Sequence, residues 1–366
     1  MHDLHNDYPL LPESKNYEPS LYMEQMRIDL GIGKDKINKL IPNLDNKKNY
    51  VIHYRNLKQA INLGLELVKV HKVLSFNQSP FLKKFIDFNT KKRTETKLNH
   101  EKDLFKLMNN SVFGKTIENI DKRIDVKLIK GNENRFVKMA SLPTFKSFRI
   151  FSNDLVAVEM KKTEIVYNRP MIVGMCILDL SKTIMYDYHY NTIKKNYGSN
   201  AKLCFTDTDS LTYHIKTDDI YNDMKKESHL YDFSEYPNDH PNYDPINKKV
   251  IGKFKDETNS ISILEFLGLR SKMYSILLYN YKNKATAKGI KKSCMKNIKH
   301  DDYKRCLLSY SYDDKKQKVS FNLIRSENHI INTININKVG LCCYDNKRYV
   351  LDNNIDTLAY GHYKIN

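Results

Sequence analysis

Apolar positions recur with a helical period from about residue 55 to residue 67, and a β-leaning stretch, Val68–Phe76, follows. Further helices are expected at 81–97 and 99–120, the second opened by Asn99 as a candidate N-cap. Strand-like stretches recur at 125–130, 147–167, 201–206 and 211–216, and they enclose a longer apolar helix at about 172–196. Residues 249–350 alternate short strands with turns, with one helix expected at 300–309. In residues 1–50 the chain is polar and irregular, and Pro9, Pro12, Pro19 and Pro42 argue against long helices there. No internal repeat or Gly/Ser/Pro linker divides the chain. The mixture reads as α+β, built from antiparallel hairpins rather than βαβ units.

Length and composition fit this reading. With 366 residues, 40% hydrophobic and 11% aromatic, the chain can bury a core of two or three structural units and disorder is not its default. Its longest apolar run, Met171 to Leu178, is far too short to span a bilayer. The amino terminus has no basic segment followed by an apolar stretch, so no secretory signal is read there, and it has the look of a sequence beginning mid-domain. The six cysteines fit neither zinc spacing nor a secreted disulfide framework, which points to a reducing, intracellular compartment.

Charge changes the picture more. The chain carries 61 basic and 43 acidic residues, a net charge of +18, which suits a phosphate-rich partner because each neutralised phosphate releases counterions. Only 11 of the basic residues are Arg, and an AT-rich genome would push composition toward Lys, Asn and Ile without selection for binding. Charge alone leaves both explanations standing.

The segment from Cys204 to Tyr213 sets apolar residues on both sides of the polar centre Asp207-Thr208-Asp209-Ser210, as a β-hairpin with a polar tip does. Aspartates at i and i+2 share a face of an extended chain, so Asp207 and Asp209 can approach one site. Hard oxygen ligands of this kind suit Mg²⁺ or Mn²⁺. A pair of such ions about 4 Å apart can activate a hydroxyl and stabilise a leaving phosphate. The same four residues are also ordinary turn chemistry.

A second pattern runs from Lys106 to Lys115. At 100° per residue, Lys102, Lys106, Asn110 and Phe113 share one helix face, while Leu104, Leu107 and Met108 lie opposite and can pack. Lysines beside an amide and an aromatic ring offer point charges for a triphosphate and a flat surface for a base or sugar. Gly114 leaves backbone room for a ligand's close approach. An amphipathic helix with a solvated lysine face would look the same.

Together these segments resemble family B DNA polymerase signatures. The fingers motif of that family, Lys-x-x-x-Asn-Ser-x-Tyr-Gly, is matched by Lys106, Asn110, Ser111 and Gly114, with Phe113 in the Tyr position. The palm motif, Tyr-x-Asp-Thr-Asp-Ser, is matched by Asp207, Thr208, Asp209 and Ser210, with Phe205 replacing Tyr. A Lys-x-Tyr signature stands as Lys272-Met273-Tyr274. All three occur in family order, the likeness covers about residues 45 to 366, and its detail is closest to protein-primed polymerases of viruses, linear plasmids and Maverick/Polinton-type elements.

The resemblance implies a right-hand polymerase fold, truncated at its amino-terminal side. Residues 1–80 would connect from a missing palm strand, 81–121 form fingers helices, 122–150 a connecting hairpin region, 151–282 an antiparallel palm and 283–366 a small thumb. It implies that Arg93, Lys102 and Lys106 bind the incoming dNTP, with Asn110, Phe113 and Gly114 bordering the nascent base pair. Asp207 and Asp209 would hold two Mg²⁺ or Mn²⁺ ions, Asp209 as the stronger ligand. Ser210, Lys272 and Tyr274 would hold the primer–template, and Lys288, Lys291 and Lys292 would line the duplex path. A terminal priming protein is a further implied partner, a membrane is not, and residence in a nucleus or viral replication site follows from the function.

The family's upstream Asp-x-x-Ser-Leu-Tyr-Pro motif has no match in residues 1–90. Ser20-Leu21-Tyr22 comes nearest, with Met23 in place of Pro and Tyr17 in place of Asp, and Asp7-Tyr8-Pro9 lacks the remainder. Without that carboxylate the two-metal site loses an anchor and the palm an adjoining strand, leaving an open sheet edge. Besides a polymerase, the sequence is therefore compatible with a catalytically inactive, nucleic-acid-binding remnant of a virus or mobile element. A metal-dependent nuclease using Asp207 and Asp209 accounts for neither the lysine helix nor Lys272 and Tyr274.

Overall fold

The computed structural model describes residues 9–34, 38–327 and 330–365. Asp7 and Tyr8, considered above for the upstream motif, lie outside the described residues. The architecture is α+β, with small sheets, antiparallel except for one two-residue parallel pair between Tyr231–Asp232 and Phe254–Lys255, and intervening helices.

The amino-terminal region holds a short helix of nine residues, which its prolines allow. Helix α1 (Leu21–Asp29) begins just after Pro19, and the Ser20 hydroxyl caps it by accepting the Met23 N–H at 3.3 Å. Proline is unfavourable inside a helix and harmless before its first turn. The same hydroxyl donates to the Val350 carbonyl at 2.9 Å, which pins the helix to the far end of the chain. Helix α2 (Tyr54–Asn62) is the first one expected from periodicity. Val68–Phe76 forms no strand, and Val68, Val73 and Leu74 are exposed. Side-chain preference makes a strand only where a neighbouring strand supplies hydrogen-bond partners, and none is paired here.

A helical hairpin follows, α3 (Lys83–Glu95) and α4 (Asn99–Thr116). Ile86, Thr90 and Arg93 on α3 and Phe105, Met108, Asn109 and Val112 on α4 are half-buried, and Asn89 is fully buried. These are two stripes of helical period. Asn89 donates its amide to Asn109 Oδ1 at 2.9 Å, joining them. Leu104 and Leu107, expected to pack, are instead 51% and 62% exposed, because the stripe that meets α3 is rotated away from them. Nor is Asn99 the cap. It is the first helical residue after Leu98, and Thr96 contributes the nearby hydroxyl, accepting the Leu98 N–H at 3.2 Å.

Strands β1 (Ile124–Lys130), β2 (Phe145–Ser152) and β3 (Leu155–Lys161) form an antiparallel sheet in the order β1-β3-β2. The stretch 147–167, expected to be strand-like, folds instead as the β2–β3 hairpin. Helix α5 (Glu133–Ala140), not foreseen, covers the sheet through Phe136 and Met139 against Ile129, Val158 and Met160. Helix α6 (Met171–Asp187) is the expected apolar helix, and it continues through a π turn to Lys194. Its Asp179 is buried and accepts the His53 N–H at 2.8 Å, tying α6 to the start of α2.

The remaining strands carry the candidate chemistry. Strands β4 (Ala201–Asp207) and β5 (Ser210–Ile215) form a two-stranded hairpin. Strands β6 (Ile263–Arg270), β7 (Met273–Leu278) and β8 (Asn283–Ala287) form an antiparallel meander. Helix α7 (His300–Leu308) lies against that meander, its Tyr303 fully buried and donating to the Thr286 carbonyl at 2.8 Å. After it comes a ribbon, β9 (Lys316–Glu327) and β10 (Ile330–Cys342), far longer than the short strands expected there. Near its tip Arg149 of β2 donates to the Ser326 carbonyl at 3.3 Å.

The largest core joins Met23 and Met26 of α1 to Leu267, Leu269, Met273, Tyr303, Cys306, Leu341 and Cys342. Each large apolar side chain fully buried contributes ~1.5–3 kcal/mol, so the ribbon base, meander and α1 form one unit. All six cysteines are free thiols. Among the described residues no helix is long and apolar enough to cross a membrane.

Candidate active site

The β4–β5 turn is short because Asp207 pairs with Ser210, leaving Thr208 and Asp209 to reverse the chain. Thr208 has φ 58°, a left-handed backbone that is an outlier for a β-branched residue. The Asp209 N–H donates to the Asp207 carbonyl at 2.6 Å, and the Ser210 hydroxyl donates to that carbonyl at 3.3 Å. The period-two argument for the aspartates does not carry over, since the turn begins between them. Asp207 closes a strand and is partly buried, whereas Asp209 sits exposed on the turn itself.

The meander brings a second hairpin tip to the first. Arg270 pairs with Met273, so Ser271 and Lys272 make a two-residue turn, and Lys272 has φ 60°. Its ammonium lies 3.6 Å from Asp207 Oδ2. Behind the ion pair the Tyr274 ring lies 4.6 Å from that of Phe205 and 6.0 Å from that of Phe266. Edge and offset contacts of this kind add ~0.5–1.5 kcal/mol beyond area burial. Phe266 was not singled out in the sequence, where only its place in an alternating strand marked it. Burial pushes the Tyr274 phenol above its usual range, with the Asp207 and Glu257 carboxylates adding to the shift, so it stays a neutral hydroxyl at physiological pH.

The backbone links Lys288 to this tip, since its N–H donates to the Lys272 carbonyl at 3.1 Å. Its side chain is exposed, as is that of Lys292. Lys291 is already engaged, its ammonium donating to the Asn322 carbonyl of β9 and lying 5.7 Å from the Phe321 ring centre. Lys292 lines a shallow cleft of about 580 Å³ with Lys296 and Lys299, beside the start of α7.

On the helical hairpin Lys106 and Asn110 are exposed, while Lys102, Phe113 and Arg93 are half-buried. Open space lies beside Gly114, where an added Cβ would meet no atom within 4 Å. Burial weakens the hold of the Lys249 ammonium on its proton, the charges of Arg93, Lys248 and Lys102 add to this, and Glu235 opposes it. Lys249 escaped the sequence reading, where it was one lysine in a basic run.

The donors at Asp207 and Asp209 are hard carboxylate oxygens. Mg²⁺ is commonly held by one or two protein carboxylates, with water and substrate phosphates completing its octahedron, and the pair fits that chemistry. Among the described residues no group of three His, Cys, Asp or Glu side chains stands together to hold a metal. Comparison with models of known protein families, with curated proteins and with solved structures finds no match to this chain.

Proposed function

We propose that the chain supplies the fingers, palm and thumb of a family B, protein-primed type DNA polymerase. The observation that carries this reading is the meeting of Asp207 and Lys272 at 3.6 Å. Two of the three motifs that resemble the family, far apart in sequence, face each other at adjoining hairpin tips. In this reading α3 and α4 are the fingers, the strands β4 to β7 belong to the palm, and the β9–β10 ribbon belongs to the thumb.

Each residue then has a physical task. Lys102, Lys106 and Arg93 bind the triphosphate of a dNTP as cations, and Arg93 adds the planar fork that matches phosphate oxygens. Asn110 and Phe113 border the base and sugar, with Gly114 leaving room for them. Asp207 and Asp209 would hold the two divalent ions, Mg²⁺ or Mn²⁺, which when bound supply charge stabilisation at the transferring phosphate. Lys272 neutralises primer phosphate, and Tyr274, kept neutral, donates a hydrogen bond. Lys288 and Lys292 attract the duplex along the same side.

A second reading is favoured by one observation, that among the described residues no group of three His, Cys, Asp or Glu side chains stands together to hold a metal. It keeps the basic surface and discards the chemistry, making the chain a nucleic-acid-binding remnant. Primer extension by the purified chain with Mg²⁺, against Asp209→Ala, decides between them. Extension that disappears in the variant supports the polymerase. Salt-sensitive primer–template binding without extension supports the remnant, with each phosphate contact adding about −0.9 to the slope of log K against log salt. No binding at low salt sinks both.

A further inference from the structure

The β6–β8 meander has two tips. The β6–β7 tip carries Lys272 to Asp207, and the β7–β8 tip, residues 279–282, turns at the opposite end of β7. At ~3.3 Å per residue, the six residues of β7 set the tips ~20 Å apart. None of the polymerase-like motifs covers the second tip.

Two tyrosines stand on it, Tyr279 at 72% and Tyr281 at 79% exposure. Tyr281 has φ 60°, an outlier for a bulky residue. The turn is held there because the Tyr281 N–H donates to the Leu278 carbonyl at 2.8 Å, and the Leu278 N–H to the Lys282 carbonyl at 3.0 Å. Asn280 Oδ1 accepts the Lys282 N–H at 3.1 Å. Strain of this sort persists only where the surroundings over-determine it, and here they hold an aromatic ring out of the core.

Tyr281 lines the cleft of about 580 Å³ beside the start of α7, a size usual for small-ligand sites. Leu277, Ala285 and Ile298 make part of that lining apolar. Lys292, Lys296 and Lys299 also line it and are exposed. Their spacings of four and three place them on one side of the helical turns that lead into α7. Asp301 is the acidic residue among the lining side chains, so cations prevail. Asn283 adds a polar group. Its Oδ1 accepts the Ser275 hydroxyl at 2.7 Å, which leaves the amide N–H pair for a ligand.

A ring, an amide donor and three cations around an apolar lining match the base face, base edge and phosphates of an unpaired strand. A duplex cannot use the ring, because its base faces are covered by stacking. We infer that this cleft binds single-stranded DNA, with Tyr281 stacking on a base and Lys292, Lys296 and Lys299 neutralising phosphates. Lying ~20 Å from the Asp207–Lys272 tip, it holds a strand clear of the reacting end. The inference rests on the polymerase reading only for the choice of DNA over RNA, and on the cleft for the rest.

Fluorescence anisotropy tests it, with the full chain titrated into labelled oligo-dT, an abasic strand of equal length, and a blunt duplex. Tyr281→Asn removes the ring and keeps a residue tolerant of a left-handed backbone, and circular dichroism checks its fold. Oligo-dT affinity should fall about tenfold in this variant, as loss of one base–aromatic stack does. The abasic strand and the duplex, which offer no free base face, should change within about twofold. Lys296→Gln should reduce the salt slope for oligo-dT by about 0.7, the single-strand value for one phosphate contact. Unchanged oligo-dT affinity in Tyr281→Asn, or an equal loss on the abasic strand, would overturn the inference, and primer extension by the wild type would still uphold the polymerase reading. A wild type without affinity for oligo-dT at low salt would overturn it too. Oligo-dT binding that depends on Tyr281, without primer extension, would keep the cleft and remove the polymerase chemistry.

Discussion

Lys272 holds its ammonium 3.6 Å from the Asp207 carboxylate across the gap between two hairpin tips. Both side chains are substantially exposed, 52% and 33%, so the pair contributes less than ~1 kcal/mol. The Lys272 backbone, at φ 60°, carries a penalty of similar size that glycine would lift. Lys272→Gly should therefore leave urea stability unchanged or raised by up to ~1 kcal/mol, while DNA affinity falls about tenfold through the lost phosphate contact. A clear loss of stability would show that the ion pair, not the backbone, dominates.

Gly114 separates stability from binding in the same way. It lies in the last turns of α4 with open space beside it, and alanine is the better helix former by ~1 kcal/mol. Gly114→Ala should raise the melting temperature. If the open space admits a sugar or base, dNTP affinity falls in the same variant. A variant that gains stability and binds dNTP normally would remove Gly114 from the site.

Gly174 in α6 is the opposite case. An added Cβ there would overlap Ile117 Cγ2 and Thr116 Oγ1, the point where the helical hairpin meets α6. Over-packing of this kind typically costs ~1–3 kcal/mol. Gly174→Ala should be destabilised by that amount in denaturant unfolding, whereas Gly33→Ala, with nothing within 4 Å, should be near neutral. Equal stabilities for the two variants would contradict the close approach.

Glu118 binds the hairpin's exit to the start of α6. Its carboxylate meets Arg123 at 2.5 Å, Lys115 at 3.1 Å and Arg169 at 3.2 Å. Hydrogen bonds from Arg123 first, then Lys115 and Arg169, hold its pKa down to about 2, against an ordinary 4.5. A depressed carboxylate contributes stability that is fully present above its unfolded pKa and is lost as pH falls through the folded one. The stability gap between wild type and Glu118→Gln should thus be constant above pH 4.5 and shrink on descent toward pH 2. A gap that does not change over that window would place the Glu118 contribution in packing instead.

Much of the local structure was legible in the chain. Helices α3, α4 and α6 and the β4–β5 hairpin follow from spacing alone, since periods of 3.6 and 2 are imposed by backbone geometry. The candidate residues Asp207, Asp209, Lys106 and Lys272 were likewise recognisable, because their motifs are contiguous. What failed was information that lies in a partner. Val68–Phe76 has the composition of a strand and no neighbouring strand. Leu104 and Leu107 are apolar and exposed because α3 meets the adjacent stripe of α4. Ser20 caps a helix whose other contacts, to Val350 and the cysteine-rich core, lie at the opposite end of the chain.

The sequence by itself determined which residue types are available for phosphate and metal, and on which local elements they stand. Only the tertiary structure decided which of them meet. Asp207 faces Lys272 because two hairpin tips, far apart in sequence, fold against one another. Local order needs only backbone periodicity. Convergence of side chains needs the packing of separate elements, and that is a property of the folded chain.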